Sequence, residues 1–510
     1  MERHRARGIR RGSGLLLAVT AVSGLLLTGC SADSGSASDS SNDGRQHIGN
    51  PAPAAPTGGA RKEDGESPSP RSDHLSTFAL DVDTASYGYA RSTLADGALP
   101  DPETVRPEEF VNSFHQDYAR PDGDGFSVTV DGARTDKENW SLVRVGLATR
   151  AAESDAERPP VALTFVVDVS GSMGDPGRLD LAQKGLDKMT DRLRDDDSVA
   201  VVTFSDTARV ALRMTRLKNN RGRVHQVIDD LAATYDTNLA AGVETGYATA
   251  VAGLREGATN RVVLVSDGLA NTGDTDPDGI LDRIDTARRE NGITLFGVGV
   301  GHEYGDALME RLADKGDGHT AYVANETEAT TVFARDLTRN IGLAARDAKA
   351  QVAFDPHTVV QFHLVGYDDR RVADDDFRDD SVDGGEVGPG HTVTALYAVR
   401  TRAGAHGHLA TATVRWLDPA TRAPHEESGQ IETDALGSSL REAPTGLQVT
   451  AVAAYFADSL RFGDRRWTTL PGDPGLAGLA TWSRQLAEST ENTDLARLAD
   501  AIVQAHELEG

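Results

Sequence analysis

Seven consecutive residues, Val161-Ala162-Leu163-Thr164-Phe165-Val166-Val167, are apolar but for one threonine. A strand of that composition belongs in a sheet covered on both faces. Similar runs recur at Val199–Phe204, Val262–Val265 and Ile293–Val300. Between them lie helical periods. Ala182, Leu186, Met189 and Leu193 are spaced four, three and four residues apart and share one face. Val224, Ile228 and Leu231 make a second such face, Leu239 to Leu254 a third, and Ile280 to Ala287 a fourth. Strand and helix in alternation predict an α/β fold: a doubly wound, mostly parallel sheet with helices on both sides.

In such a sheet ligands bind beyond the carboxyl ends of the strands, where strand order reverses. The first buried run ends in Asp168-Val169-Ser170-Gly171-Ser172. In an extended segment residues i, i+2 and i+4 point the same way, so one carboxylate and two hydroxyls converge. A later run also ends in an acid, Ser266-Asp267-Gly268, and Thr237 precedes the third helical period. Every donor in this set is a hard oxygen, which suits a six-coordinate Mg²⁺ or Mn²⁺.

Asp-x-Ser-x-Ser after a buried strand, then Thr, then Asp-Gly after a later strand, resembles the von Willebrand factor A (VWA) domain, which is Rossmann-like. The resemblance implies a metal-ion-dependent adhesion site made of Asp168, Ser170, Ser172, Thr237 and Asp267. In that family the site holds Mg²⁺, Mn²⁺ or Ca²⁺ and leaves one position for a partner's carboxylate. The residues before the family's threonine are usually small; here they are Tyr235-Asp236, which leaves Thr234 as an alternative to Thr237. Two further stretches, Phe78 to Tyr87 with Val105 to Phe110, and Gly388 to Tyr397, resemble the flanking segments of bacterial A-domain lipoproteins of the YfbK type.

The flanks of the α/β region read differently. Phe126–Val130 and Leu142–Val145 alternate apolar and polar residues, as a strand pair does, and Pro107–Tyr118 has the pattern of a short amphipathic helix. Strands are expected again at Ala350–Phe354, Val359–Val365, His391–Val399 and Leu409–Trp416, and helices at Val449–Leu460, Leu476–Leu486 and Leu495–Val503. The expected organisation is a signal peptide over 1–29, a Ser/Gly/Pro/Asp linker over 30–73, and an accessory segment over 74–150. A VWA domain over 158–342, a β-rich accessory segment over 345–435 and a helical region over 436–510 follow. The two β-rich segments flank the VWA domain and are expected to pair into one accessory domain.

The amino terminus reads as an address. Arg3, Arg5, Arg7, Arg10 and Arg11 precede an apolar stretch from Leu15 to Leu27, shorter than the roughly 20 residues of a spanning helix. Leu27-Thr28-Gly29-Cys30 resembles a bacterial lipobox, in which the cysteine is diacylated and becomes the new amino terminus. Two acyl chains are enough for stable anchoring. The stretch that follows lacks the large side chains a core needs, and as a flexible coil it would hold the body roughly 35–40 Å from the membrane.

Composition removes several classes of function. Lys+Arg 52 against Asp+Glu 79 gives a net charge of −27, and loss of residues 1–29, with five Arg and one Glu, takes it to −31. Such a surface repels nucleic-acid phosphates. A single cysteine excludes an intrachain disulfide and a Cys-rich zinc site. Asp274–Asp285 and Asp379–Gly390 fit parts of a calcium loop, but each lacks the terminal glutamate. His302-Glu303 opens like a zinc-protease helix, yet Asp306 stands in the second histidine's place. Asp81 and Asp83 read as turn and capping residues, and His406 and His408 as surface residues.

These readings converge on a lipid-anchored protein at the extracytoplasmic face of the cell membrane. It is expected to be a binding protein, not an enzyme, that captures a protein or peptide offering Asp or Glu. The rival is an envelope scaffold whose binding ignores metal. A metal-dependent hydrolase ranks third, because no general base accompanies the acidic set.

Overall fold

The computed structural model describes residues 74–151, 158–267, 290–301, 318–336, 342–437, 439–462 and 470–509, with single positions within 282–286 and 309–316. The expected signal peptide, Cys30 and the linker lie outside the described residues. So do nearly all of the 274–285 loop and the 302–306 motif.

The chain begins with β1 (Leu75–Ala79), α1 (Ala85–Ala95), α2 (Pro107–Asn112), β2 (Phe126–Arg134) and β3 (Trp140–Thr149). It then passes through β4 (Val161–Asp168), α3 (Leu179–Arg192), β5 (Ser198–Phe204), β6 (Ala208–Arg216), α4 (Arg221–Asp229) and α5 (Leu239–Ala252). There follow β7 (Thr259–Ser266), β8 (Thr294–Val300), β9 (His319–Val323) and α6 (Glu326–Thr331). The return comprises β10 (Ala345–Phe354), β11 (Val359–Leu364), β12 (Gly385–Val387), β13 (Thr392–Thr401), β14 (His408–Leu417) and β15 (Pro424–Glu432). Three helices close the chain: α7 (Thr445–Phe462), α8 (Gly475–Thr490) and α9 (Thr493–Glu509). Among the described residues no helix is long and apolar enough to cross a membrane.

Strands from before and after the α/β region share two antiparallel sheets. In one, β1, β10, β14 and β15 are neighbours in that order, with β12 also on β10; the other has the order β11-β13-β3-β2. Period-two alternation sorts the side chains of β3. Val143, Val145 and Leu147 enter the core between the sheets with Val352, Tyr397 and Val414. Leu142 joins Leu396 and Ala398 on the outer face, beneath Phe110 of α2 and the apolar faces of α7, α8 and α9. The accessory body is thus a β-sandwich with a helical layer on one side.

The central sheet has the order β6-β5-β4-β7-β8-β9, parallel except for β6. Both faces are covered, which is why β4 carries apolar residues at nearly every position. Val161, Leu163, Phe165 and Val167 pack with Leu186 and Met189 of α3, whereas Val166 packs with Val243 and Tyr247 of α5. Two glycines bring α5 close to the sheet: a Cβ on Gly246 would lie 2.4 Å from Val166 Cγ2, and one on Gly242 2.6 Å from the Phe204 ring. That approach brings the start of α5 to the carboxyl ends of β4 and β5.

The amino-terminal ends of the central strands meet the accessory body. Arg261 near the start of β7 reaches Glu386 of β12 at 3.5 Å and Thr294 Oγ1 at 2.8 Å. Asp81 and Asp83, expected as turn and capping residues, do more than that. Asp81 Oδ1 does accept the Asp83 N–H at 2.9 Å, but both carboxylates also face Arg370, at 3.4 and 3.5 Å. The carboxyl ends of the strands lie about 25 Å away, the length of an eight-residue strand.

One expected element is shorter. The helix anticipated over Pro107–Tyr118 ends at Asn112. Beyond it Phe114, Gln116 and Tyr118 are buried while His115 and Asp117 are exposed, the alternation of an extended segment. Tyr118 lies over Gly146, whose missing Cβ makes room for the ring, and its hydroxyl meets Thr394 Oγ1 at 2.8 Å.

Candidate metal centre

β4 ends at Asp168, which is fully buried. Its Oδ1 accepts the Ser170 N–H at 2.8 Å and its Oδ2 accepts the Ser266 hydroxyl at 2.6 Å. Ser170 is also fully buried, and its Oγ lies 3.1 Å from Ser172 Oγ. All these partners of Asp168 are neutral. Burial accordingly pushes its carboxyl up to about 6, with the Asp267 charge adding to the rise. A carboxylate desolvated in this way, with no basic group bonded to it, is suited to receive a cation.

Asp267 follows the last residue of β7 and is likewise fully buried. Its Oδ2 accepts a hydrogen bond from Arg178 Nη1 at 2.9 Å, while its Oδ1 is buried with no hydrogen-bond partner among the described residues. Arg178, just before α3, also donates to the Ser172 carbonyl at 3.2 Å and lies 3.6 Å from Asp175. The guanidinium therefore ties the Asp-x-Ser-x-Ser loop to Asp267.

Thr237 is 2% exposed on the loop leading into α5. That helix starts where it does because Asn238 caps it, accepting the Ala241 N–H at 3.0 Å. The same loop closes over the first: Gly171 N–H donates to the Tyr235 carbonyl at 2.9 Å, and Thr234 N–H to the Val169 carbonyl at 2.7 Å. The alternative donor, Thr234, is exposed and gives its hydroxyl to the Val169 carbonyl at 3.0 Å. Of the two, Thr237 is the buried one. Tyr235 stands 84% exposed beside this cluster.

The structure thus joins Asp168, Ser170 and Ser172 through direct contacts, ties Asp267 to the same loop through Arg178, and places Thr237 on the adjoining loop. The donors fit a hard divalent cation, and the unmatched Asp267 Oδ1 is an acceptor such an ion would satisfy. Among the described residues no three His, Cys, Asp or Glu side chains gather into a metal-ligating group, so this set depends on hydroxyls for its remaining donors. Asp379 accepts from the N–H and hydroxyl of Ser381, a local turn, and His408 faces Glu432 at 3.3 Å. Sequence reasoning missed two contributors. Ser266 was in view within the Ser-Asp-Gly triplet. Arg178 carried only the weak signal of a basic residue just ahead of a helix.

Residues 162–335 match the von Willebrand factor type A domain, residues 340–441 the carboxyl-terminal domain of YfbK, and residues 60–144 a segment described as von Willebrand factor. The protein YfbK of Escherichia coli K12 is 32% identical over 411 residues, which cover 76% of this chain and 71% of that one. This chain belongs to the YfbK family of VWA proteins. Rat inter-alpha-trypsin inhibitor heavy chain H3 is 26% identical over 214 residues, 40% of this chain and 24% of its own length. A von Willebrand factor type A structure from Catenulispora acidiphila covers 77% of this chain and 89% of its own, at 16% identity and a TM-score of 0.45. VWA domains are typically non-enzymatic modules of protein–protein interaction and commonly bind divalent metals, and this YfbK-family chain carries one between the two parts of its accessory body.

Proposed function

We propose that this YfbK-family protein is a lipid-anchored, extracytoplasmic binding protein that captures a protein partner by an acidic side chain at the Asp168–Asp267 centre. The observation that carries the reading is Asp267 Oδ1, a buried acceptor without a partner among the described residues, beside a second buried carboxylate that has only neutral donors. Asp168 would hold the ion directly, oriented by the Ser170 N–H and the Ser266 hydroxyl. Ser170, Ser172 and Thr237 would present neutral oxygens, and Asp267 would complete the set. A divalent cation bound there supplies the positive charge that a partner's Asp or Glu requires. Neutral donors leave more of that charge unspent than carboxylates would. A body at −31 repels an acidic partner at long range, but screening over about 8 Å confines the decision to contact distance.

Cys30 would carry the lipid, and the segment after it would hold the body off the membrane. Among the described residues the accessory body meets the start of β7 and the edge strand β9, away from the carboxyl ends of β4 and β7, which supports this reading.

The test uses the full protein purified in detergent and exposed to envelope extract in millimolar Mg²⁺. Capture released by EDTA and absent from Asp168→Ala is the expected result. One observation favours the rival scaffold: Arg178 already meets Asp267, so the loops can hold their shape without an ion. Capture that ignores EDTA and persists in a folded Asp168→Ala protein would establish that alternative.

A further inference from the structure

Arg178 places a positive charge on one oxygen of a carboxylate that the proposed centre would use for its ion. The residue is 8% exposed, and its Nη1 bridges Asp267 Oδ2 at 2.9 Å and the Ser172 carbonyl at 3.2 Å. Its stem is held as well. A Cβ on Gly301, which follows β8 with φ of 84°, would lie 2.8 Å from Arg178 Nε and 3.1 Å from Cδ and Cγ. Only a bare backbone leaves that slot open. The Gly301 carbonyl in turn accepts the Tyr322 hydroxyl at 3.0 Å. The guanidinium is thus seated between a helix start, a loop carbonyl and the end of a strand, aimed at one oxygen of Asp267 while the other stays unmatched.

We infer that Arg178 is a resident counter-cation that holds the unloaded centre together and sets its affinity for divalent metal low. The inference rests on the metal-centre reading above. A carboxylate already facing a guanidinium gains less from a second cation, and the two positive charges repel each other across a buried carboxyl group. Without Arg178, Asp168 and Asp267 would face each other with no positive charge bonded to either. The unloaded form would suffer and the loaded form would benefit. A purely structural arginine predicts the opposite sign: removing it would loosen the loops and weaken metal binding.

The experiment titrates the purified full protein with Mn²⁺, following the loss of the free-ion paramagnetic resonance signal, and confirms Mg²⁺ by competition. Arg178→Met keeps the stem and removes the charge, and should bind Mn²⁺ about tenfold tighter or more. Its melting temperature should fall in EDTA and recover with Mn²⁺, while that of the wild type changes less. Arg178→Lys, which keeps the charge, should stay near the wild type. Arg178→Gln retains a donor for Asp267 and answers the same question where the methionine variant does not fold. Mn²⁺ binding equal to the wild type or weaker in both neutral variants overturns the inference while leaving the metal centre standing. Binding absent from the wild type and every variant removes the metal centre itself.

Discussion

Asp83 accepts, through Oδ1, the backbone N–H of Thr320 at 2.9 Å, joining positions 237 residues apart. The acid belongs to the amino-terminal segment and the N–H to β9, so one buried hydrogen bond fastens the VWA domain to its support. His319 Nδ1 lies 3.4 Å from the same carboxylate. Burial, with the Arg261 charge adding, pushes that imidazole down to about 3, so at neutral pH the contact is not an ion pair. Asp83 itself is raised well above the usual carboxylate range by burial and by Asp81.

Because Asp83 is inclined to hold its proton, Asp83→Asn should be tolerated: an amide oxygen still accepts the Thr320 N–H. Asp83→Ala leaves that N–H unmet and takes a partner from half-buried Arg370, costing about 2–4 kcal/mol. Urea unfolding of the two variants checks this. Equal stabilities would mean that the hydrogen bond contributes nothing.

Gly246 and Gly242 set the height of α5 above the sheet. Gly246→Ala should destabilise by about 1–3 kcal/mol through overpacking against Val166, despite alanine's better helix propensity. Gly222 of α4 meets nothing within 4 Å of its built Cβ, so Gly222→Ala should be neutral or stabilising in the same denaturation assay.

Glu108 and Asp458 are both pushed up to about 7, chiefly by burial, with Asp81 adding to the first and Asp473 to the second. Each keeps a proton in the folded state that the unfolded chain releases near its ordinary value of 4.5 or 3.8. Their contribution to stability is therefore complete below about pH 4 and lost as pH rises to about 7, on the order of 3 kcal/mol each. Asp458→Asn, whose amide oxygen can still accept the Leu470 N–H, should flatten this slope between about pH 4 and about pH 7. An unchanged slope would show that Asp458 ionises normally.

Tyr235, 84% exposed beside Thr237, is placed to touch whatever docks at the centre. Tyr235→Ala should leave Mn²⁺ affinity and melting temperature unchanged while weakening partner capture about tenfold. Capture at wild-type strength would move the docking surface away from this loop.

Much of the architecture was legible because burial leaves a periodic trace. β4, β5, β7 and β8 declared themselves by apolar runs, and α7, α8 and α9 by spacing on one face. β6 and β15 did not. β6 is an antiparallel edge strand with several exposed positions, and β15 has the sequence Pro-His-Glu-Glu-Ser-Gly-Gln-Ile-Glu, almost wholly exposed. A strand held by backbone pairing at a sheet edge needs no apolar alternation, so composition is silent about it.

At the candidate site the same division holds. Asp168, Ser170 and Ser172 sit within five residues of one another and were expected to converge as an extended segment, but β4 ends at Asp168 and Gly171 is helical, so a turn brings Ser172 Oγ to Ser170. Asp267 was legible because it ends a buried run, as Asp168 does. Arg178 was not, since its partner lies 89 residues away and its direction depends on the start of α3 and on the bare backbone of Gly301. The sequence by itself determined the fold class and pointed to the oxygen-bearing residues of the candidate site, because those follow from local periodicity and strand ends. Only the tertiary structure decided which charge meets Asp267 and which acid clamps Thr320, because long-range electrostatic contacts are chosen by packing and leave no local pattern.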